Sequence, residues 1–353
     1  MTPRPASRSS RAGLAGAGAS PARIRSLACP VCPYGVTDRC EGLAGASAAL
    51  LSAGSIGCRE PARQARYYAA LHDGELGRAP LPDLPIPPLP AFIPVLVRVL
   101  PSRVRLDESL LYGVAMTTVL RGTGDVRYAT PARMRRQLGL GERGRLCLIG
   151  TAKDIRLENA WAGSEENDLW RRLAALSFEF ATTTTFSVWD RQARFDQIYN
   201  QERNLRSYDR FARHRLPAAP FFFFPHRTDL EAAVAWLEAH PEVDLVGILA
   251  QYYRSSDEFA RLLGGIRLLR DAAPRPLRFL VAGCATAPKL ERLFAEFPNA
   301  TVASTKPVMK AIKGQATRTG LHHSPAPLTR RELLLTRNVA RFTTFCEALR
   351  AAA

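Results

Sequence analysis

From about Phe92 onward, apolar β-rich runs alternate with helical patterns, and this alternation limits the fold more than any other feature. The runs cover 93–100, 146–150, 178–189, 221–225, 245–250, 277–282 and 300–303. They lack the polar alternation of a half-exposed sheet. A parallel sheet covered on both faces by helices produces such runs. The last four begin at residues 221, 245, 277 and 300, a repeat that suits βα units. Helix starts lie between them. Thr228-Asp-Leu-Glu231 and Ser255-Ser-Asp-Glu258 each fit a capping box, in which side chains satisfy the free donors of a first turn. Leu230, Ala233, Val234 and Leu237 then make an apolar helical stripe. At least seven strand–helix repeats favour an α/β (β/α)8-type barrel of ~250 residues. A doubly wound open sheet is the alternative. No Gly-rich dinucleotide fingerprint follows any run, which counts against it.

The barrel is expected to occupy 95–353. Three segments precede it. Residues 1–28 are rich in Arg, Ser, Ala, Gly and Pro, lack aromatics and read as a disordered basic tail. Residues 29–79 carry four of the seven cysteines. Residues 80–94 are proline-rich and read as a stiff spacer or a strap across the domain. No stretch approaches the ~18–20 charge-free apolar residues of a membrane span, and no apolar signal core is seen. An odd cysteine count without a leader points to a reducing, cytoplasmic setting.

Cys29-x2-Cys32-x7-Cys40-x17-Cys58 is a compact four-thiol set. Four soft ligands suit either tetrahedral zinc or an iron–sulfur cluster, and the pattern leaves both open. Cys147, Cys284 and Cys346 stand in apolar contexts and are expected to be buried.

The net charge is +17, but 44 of the 49 basic residues are Arg in an Ala- and Pro-rich chain, so Arg abundance alone says little. Lys is scarce. Three of the five Lys, Lys306, Lys310 and Lys313, follow the last apolar run at spacings that share one helical face. With Ser304 and Thr305 just before them, they form a candidate phosphate site of the kind placed after late barrel strands. Other strand ends offer candidates too. Lys153, Asp154 and Glu158 follow the second run; Asp154 and Glu158 are four apart and suit acid–base work. His226, after Phe221–Phe224, is a further acid–base candidate. Gln251, just after the 245–250 run, is a candidate substrate contact, as are Ser187, Arg203 and Asn204, from a stretch that mixes aromatics, Arg and amides. Its helix, about 191–213, is expected to pack the aromatics Phe195, Tyr199 and Tyr208 inward.

Thr185-Phe-Ser-Val-Trp189, then Asn200 and Arg203, with Ile149-Gly-Thr-Ala-Lys-Asp154 and Leu157-Glu158 upstream, resembles an uncharacterised (β/α)-barrel family of phage and mobile-element proteins, classed as a domain of unknown function. The likeness spans roughly residues 93–320 and implies a barrel without an activity to transfer. More distantly, Leu333-Leu-Leu-Thr-Arg-Asn-Val339, Gln251 and Ala282-Gly283 resemble tRNA-guanine transglycosylases, barrel enzymes that exchange a base in nucleic acid. Thr182 and Ser304 stand where that family carries its acids, and its C-terminal zinc ligands are absent. The resemblance therefore implies a barrel acting on nucleic acid and not the base-exchange mechanism.

Three functions follow from this reading: an enzyme acting on nucleic acid or a nucleotide, a non-catalytic nucleic-acid-binding protein of a mobile element, or an enzyme on a phosphorylated small molecule.

Overall fold

The computed structural model describes residues 82–97, 100, 104–189, 192 and 194–353. The basic tail, the Cys29, Cys32, Cys40 and Cys58 set and the first proline-rich residues lie outside them. In chain order the strands are β1 (Phe92–Leu96), β2 (Leu111–Ala115), β3 (Arg145–Ile149), β4 (Ala181–Thr182), β5 (Ala218–Ala219), β6 (Phe221–Phe222), β7 (Leu245–Leu249), β8 (Arg278–Ala282), β9 (Thr301–Ser304), β10 (Gln315–Thr317) and β11 (His323–Pro325). The helices are α1 (Met116–Val119), α2 (Pro131–Gln137), α3 (Asp154–Ala162), α4 (Leu169–Ala174), α5 (Arg194–Arg213), α6 (Arg227–Ala239), α7 (Ser256–Ala272), α8 (Ala287–Glu296), α9 (Lys306–Ile312) and α10 (Arg331–Ala352).

Nine strands form one sheet in the order β5-β4-β3-β2-β1-β9-β8-β7-β6, and every pairing in it is parallel. Its two end strands, β5 and β6, are separated only by Pro220. Proline has no N–H to give to a ladder, so the assignment breaks there while the chain runs on. The Pro220 carbonyl still accepts from Gly247 N at 2.7 Å, and the Thr183 hydroxyl accepts from Phe221 N at 2.8 Å. The sheet thus curls until its ends meet in one stretch of chain, giving a barrel-like α/β fold. The β10–β11 hairpin is antiparallel and separate.

The two-residue period of a strand divides its side chains between the inside and the helical layer. Ile93 and Val95, Cys147 and Ile149, Leu245 and Leu249, and Leu280 and Ala282 all point into one interior cluster. Leu96, Leu146 and Leu148 pack outward against helices. Gly247 sits at an inward position because a Cβ there would come 2.8 Å from the Phe221 ring. Interior thiols are inert: burial pushes Cys147 well above the ordinary thiol range.

The helices cover the outside with apolar faces. On α8, Leu290, Leu293 and Phe294 are buried at i, i+3 and i+4. Each such side chain contributes roughly 2–3 kcal/mol on transfer from water. The Ser255–Glu258 capping box opens α7 as expected. At α6 the start lies two residues earlier than expected: His226 takes the cap position, and Asp229 Oδ2 accepts from its backbone N–H at 3.1 Å. Long α10 closes the outer layer, and its buried Asn338 accepts from Thr317 N at 2.7 Å and donates to Gln315 O at 2.9 Å, tying the helix to the hairpin.

The proline-rich residues from 82 act as a strap. Arg278 donates to Ile86 O and Pro87 O, Arg350 donates to Leu89 O, and the Thr301 hydroxyl donates to Pro90 O. Arg278 and Thr301 begin β8 and β9, so the strap crosses the N-terminal end of the barrel. Ile86 joins the interior cluster there. The C-terminal end is left for the polar loops. Among the described residues, no helix is long and apolar enough to cross a membrane.

Candidate functional site

The loop after β4 folds over the C-terminal mouth. The hydroxyls of Thr182, at the end of β4, and of Thr183, Thr184 and Thr185 in the loop are all buried and all bonded. Thr182 accepts from Gly150 N at 2.7 Å, Thr184 lies 3.1 Å from the Ser207 hydroxyl, and Thr185 donates to Gly150 O at 3.3 Å. Buried polar groups are costly unless bonded, and here the bonds tie the β3 and β4 loops together.

The partner of this loop is α5. Tyr208 is buried as expected and Tyr199 is half-buried, while the Phe195 side chain lies outside the described residues; the sequence reading did not foresee the buried polar stripe of Arg194, Gln197, Asn200, Arg203, Asn204 and Ser207. Asn204 Oδ1 accepts from Phe186 N at 2.7 Å, and its Nδ2 donates to Phe186 O at 3.2 Å. Gln197 Nε2 donates to Trp189 O at 2.6 Å, and Asn200 Nδ2 donates to Ser187 O at 2.7 Å. The stripe reads out the loop backbone residue by residue. Its signal in the sequence is the three-to-four spacing of those polar residues.

Arg203 holds the centre. Only 4% of its side chain is exposed; it forms a bidentate pair with Glu158 at 2.7 and 2.9 Å and lies 3.6 Å over the Phe186 ring. Glu158 is therefore engaged in positioning. Asp154 is exposed at the start of α3, and the Ser187 hydroxyl lies 2.8 Å from both of its oxygens, donating to one of them. It keeps lone pairs for a ligand. Lys153 is exposed beside it.

His226 belongs to a second buried group. Arg194 pairs with Asp229 at 2.8 Å, with side-chain exposures of 5% and 0%. Gln201 donates to Asp229 Oδ1 at 3.0 Å. Gln197 Oε1 lies 3.1 Å from His226 Nε2. Because the Gln197 amide nitrogen is committed to Trp189 O, the oxygen is the acceptor, and His226 carries its proton on Nε2.

Across the mouth, Trp189 meets Tyr252 with ring centroids 4.2 Å apart at 64°. Burial raises the Tyr252 phenol above its ordinary value; the neighbouring Gln251 side chain opposes the rise and the Asp154 charge adds to it. The mouth thus joins Asp154, Ser187, Trp189, Gln251 and Tyr252. Gly283, at φ +89°, lets the next loop pass close by, since a Cβ there would come 2.5 Å from Gln251.

Beyond that loop the charge is positive. Lys306 donates to Ala285 O at 2.8 Å, and Lys310 donates to Gln315 Oε1 at 2.9 Å. Burial lowers the Lys306 ammonium below its ordinary value, and the neighbouring Lys310 lowers it further, with Lys289 adding to this. His323 is brought in by the hairpin; burial, then Lys306, Lys310 and His322, press its pKa down to about 4. Cys284, also buried here, is pushed up to about 12. Among the described residues, Lys289, Lys306, Lys310 and His323 make no ion pair with a carboxylate. Ser304 accepts from Lys306 N at 3.2 Å, Thr305 is exposed, and Lys313 is exposed just past the end of α9. Sequence reasoning missed Lys289 and His323, because only long-range folding brings them to Lys306.

No family model matches the chain, and no curated protein matches it. Among the described residues, no group of three or more His, Cys, Asp or Glu could hold a metal ion.

Proposed function

We propose that the chain is a (β/α)8-type barrel enzyme that acts on a nucleotide or a nucleic acid at the C-terminal mouth. The barrel count takes residues 218–222 as one passage, with β1–β4 and β7–β9 as the other strands. One observation carries the functional reading: Lys306 and Lys310 after β9, with Lys289 after β8, form a group of cations that has no ion-paired carboxylate among the described residues, and the neutral His323 ring of β11 lies beside them. Half-buried like charges repel and lose hydration, so such a group is stabilised by an anion of more than one charge. A phosphate group supplies it. The position after the last two barrel strands is also where phosphate sites recur in this architecture.

Asp154 is the acid–base group in this reading, oriented by the Ser187 hydroxyl and open to a ligand. Glu158 acts through Arg203 to hold the loop. His226, with its Nε2 proton directed to Gln197, braces the start of α6.

Binding of a mononucleotide, single-stranded RNA and single-stranded DNA at increasing salt tests this. The reading predicts binding that weakens steeply with salt, and a loss of tenfold or more when Lys306→Ala and Lys310→Ala are combined. Unchanged affinity in that double variant, or no binding to any of the three at about 50 mM salt, contradicts it.

A further inference from the structure

A cavity of about 300 Å³ opens at the mouth beside β7, lined by Val188, Trp189, Phe223, Leu249, Tyr252 and Arg261, with Tyr253 and Glu258 completing its wall. The sequence marked Trp189 as part of an aromatic- and Arg-rich stretch and Glu258 as a helix cap, without joining them. Trp189 and Tyr252 are 41% and 43% exposed, among the few large apolar or aromatic side chains left open to solvent. An exposed aromatic pair is costly to leave wet. Yet this one is held in place: Gln197 fixes the Trp189 carbonyl, and the Tyr252 ring packs against the Trp189 ring. The two rings touch edge to face and together form one wall of the cavity, which makes a slot beside them. We propose that this slot binds a nucleobase, with the planar ring against Trp189 and Tyr252 and with Arg261 and Glu258 meeting its polar edge.

Three observations select that occupant. The size suits a purine nucleoside, since ligand pockets begin at about 300 Å³. The wall is aromatic with two opposite charges at its rim, so it offers stacking, one donor group and one acceptor group. Glu258 keeps acceptor capacity: one oxygen, Oε2, takes both the Arg254 and Ser255 N–H groups. Finally, the slot adjoins the cation group. Lys289 Nζ donates to Arg254 O at 3.0 Å and also to Tyr253 O, so the loop that walls the slot is fastened by one of the cations that act on Lys306. A base in the slot therefore has a phosphate site one loop away. The choice of a nucleobase over other planar rings rests on the phosphate reading above.

The test uses the full chain and neutral probes, so that stacking is separated from charge. Adenosine and guanosine are titrated while tryptophan fluorescence is followed, and inorganic phosphate is titrated by calorimetry. The expected result is that at least one nucleoside quenches the fluorescence and binds with little salt dependence. Trp189→Ala and Tyr252→Ala should each weaken it roughly tenfold, and Tyr252→Phe should keep most of the affinity. Phosphate affinity should be unchanged in Trp189→Ala. Because neither residue belongs to the buried core, these variants are expected to retain the fold, and far-ultraviolet circular dichroism checks it. Absence of nucleoside binding at about 1 mM, or equal nucleoside affinity in Trp189→Ala, Tyr252→Ala and the parent, overturns the slot. If phosphate binds while nucleosides do not, the slot falls and the phosphate reading stands; the converse removes the phosphate reading and keeps the slot.

Discussion

Helices α5 and α7 cover the same barrel from different sides, and α5 buries a polar stripe beside its apolar residues where α7 buries only apolar ones. On α7 the inward residues are Phe259, Leu262, Leu263, Ile266 and Leu269. On α5 they include Arg194, Gln197, Asn204 and Ser207. An apolar face gains its energy from area and fixes no individual partner. A buried polar stripe gains little net energy, but each donor must meet its own acceptor. The α5 side therefore trades ordinary packing for placement. What it places is the 183–189 loop, which carries Ser187 to Asp154 and Trp189 to Tyr252.

Substitutions on the two sides should differ in kind as well as in size. The largest effect is expected from Arg194→Met, which leaves Asp229 charged and buried. Urea denaturation should show a loss of about 3–5 kcal/mol. Gln197 loses one of its contacts in the same change, so affinity at the Trp189–Tyr252 slot should fall as well. Ile266→Ala on α7 should cost about 2–4 kcal/mol by opening a cavity, with ligand affinity unchanged in the folded protein. Asn204→Ala should cost about 1–3 kcal/mol, because Phe186 N and O lose their partner. Although a smaller loss of stability, it should weaken ligand binding more than Ile266→Ala does. Equal effects on binding from both sides would erase the distinction.

Much of the barrel was legible because its strands are buried on both faces. The runs near 93, 146, 245, 277 and 300 all correspond to strands. Leu111–Ala115 was missed: Tyr112-Gly113 interrupts its apolar character, and Gly113 is there because a Cβ would meet Ile149 and Val95 at 3.0 Å. The long run 178–189 yields a strand of only two residues, since four threonines in a row use their hydroxyls to bond neighbouring loops. Cys147, Cys284 and Cys346 are buried as their apolar contexts required. The α5 stripe was harder to read. Amphipathic logic puts aromatics inside and polar residues outside, and α5 buries Tyr208 and Phe211 accordingly but adds a buried polar stripe where a loop must be held. Asp154 with Ser187, and Glu158 with Arg203, were marked one by one; their pairing depends on contacts 33 and 45 residues apart in sequence. Trp189 stood in a stretch marked for its aromatics, but its meeting with Tyr252, 63 residues on, depends on the fold.

His323 offers the most direct reading of the cation group. Its folded pKa of about 4 lies below the ordinary 6.5, so the neutral ring is favoured in the fold. As pH falls from about 6.5 toward about 4, the unfolded chain takes up this proton first, and the stability it provides is lost across that window. An anion bound beside Lys306, Lys310 and His322 would offset their charge and stabilise the protonated ring. The decisive measurement is the proton NMR titration of the His323 ring, assigned with His323→Gln, with and without saturating inorganic phosphate. A phosphate site at this group predicts that the pKa moves upward when phosphate is present. The same titration curve in both conditions would contradict it.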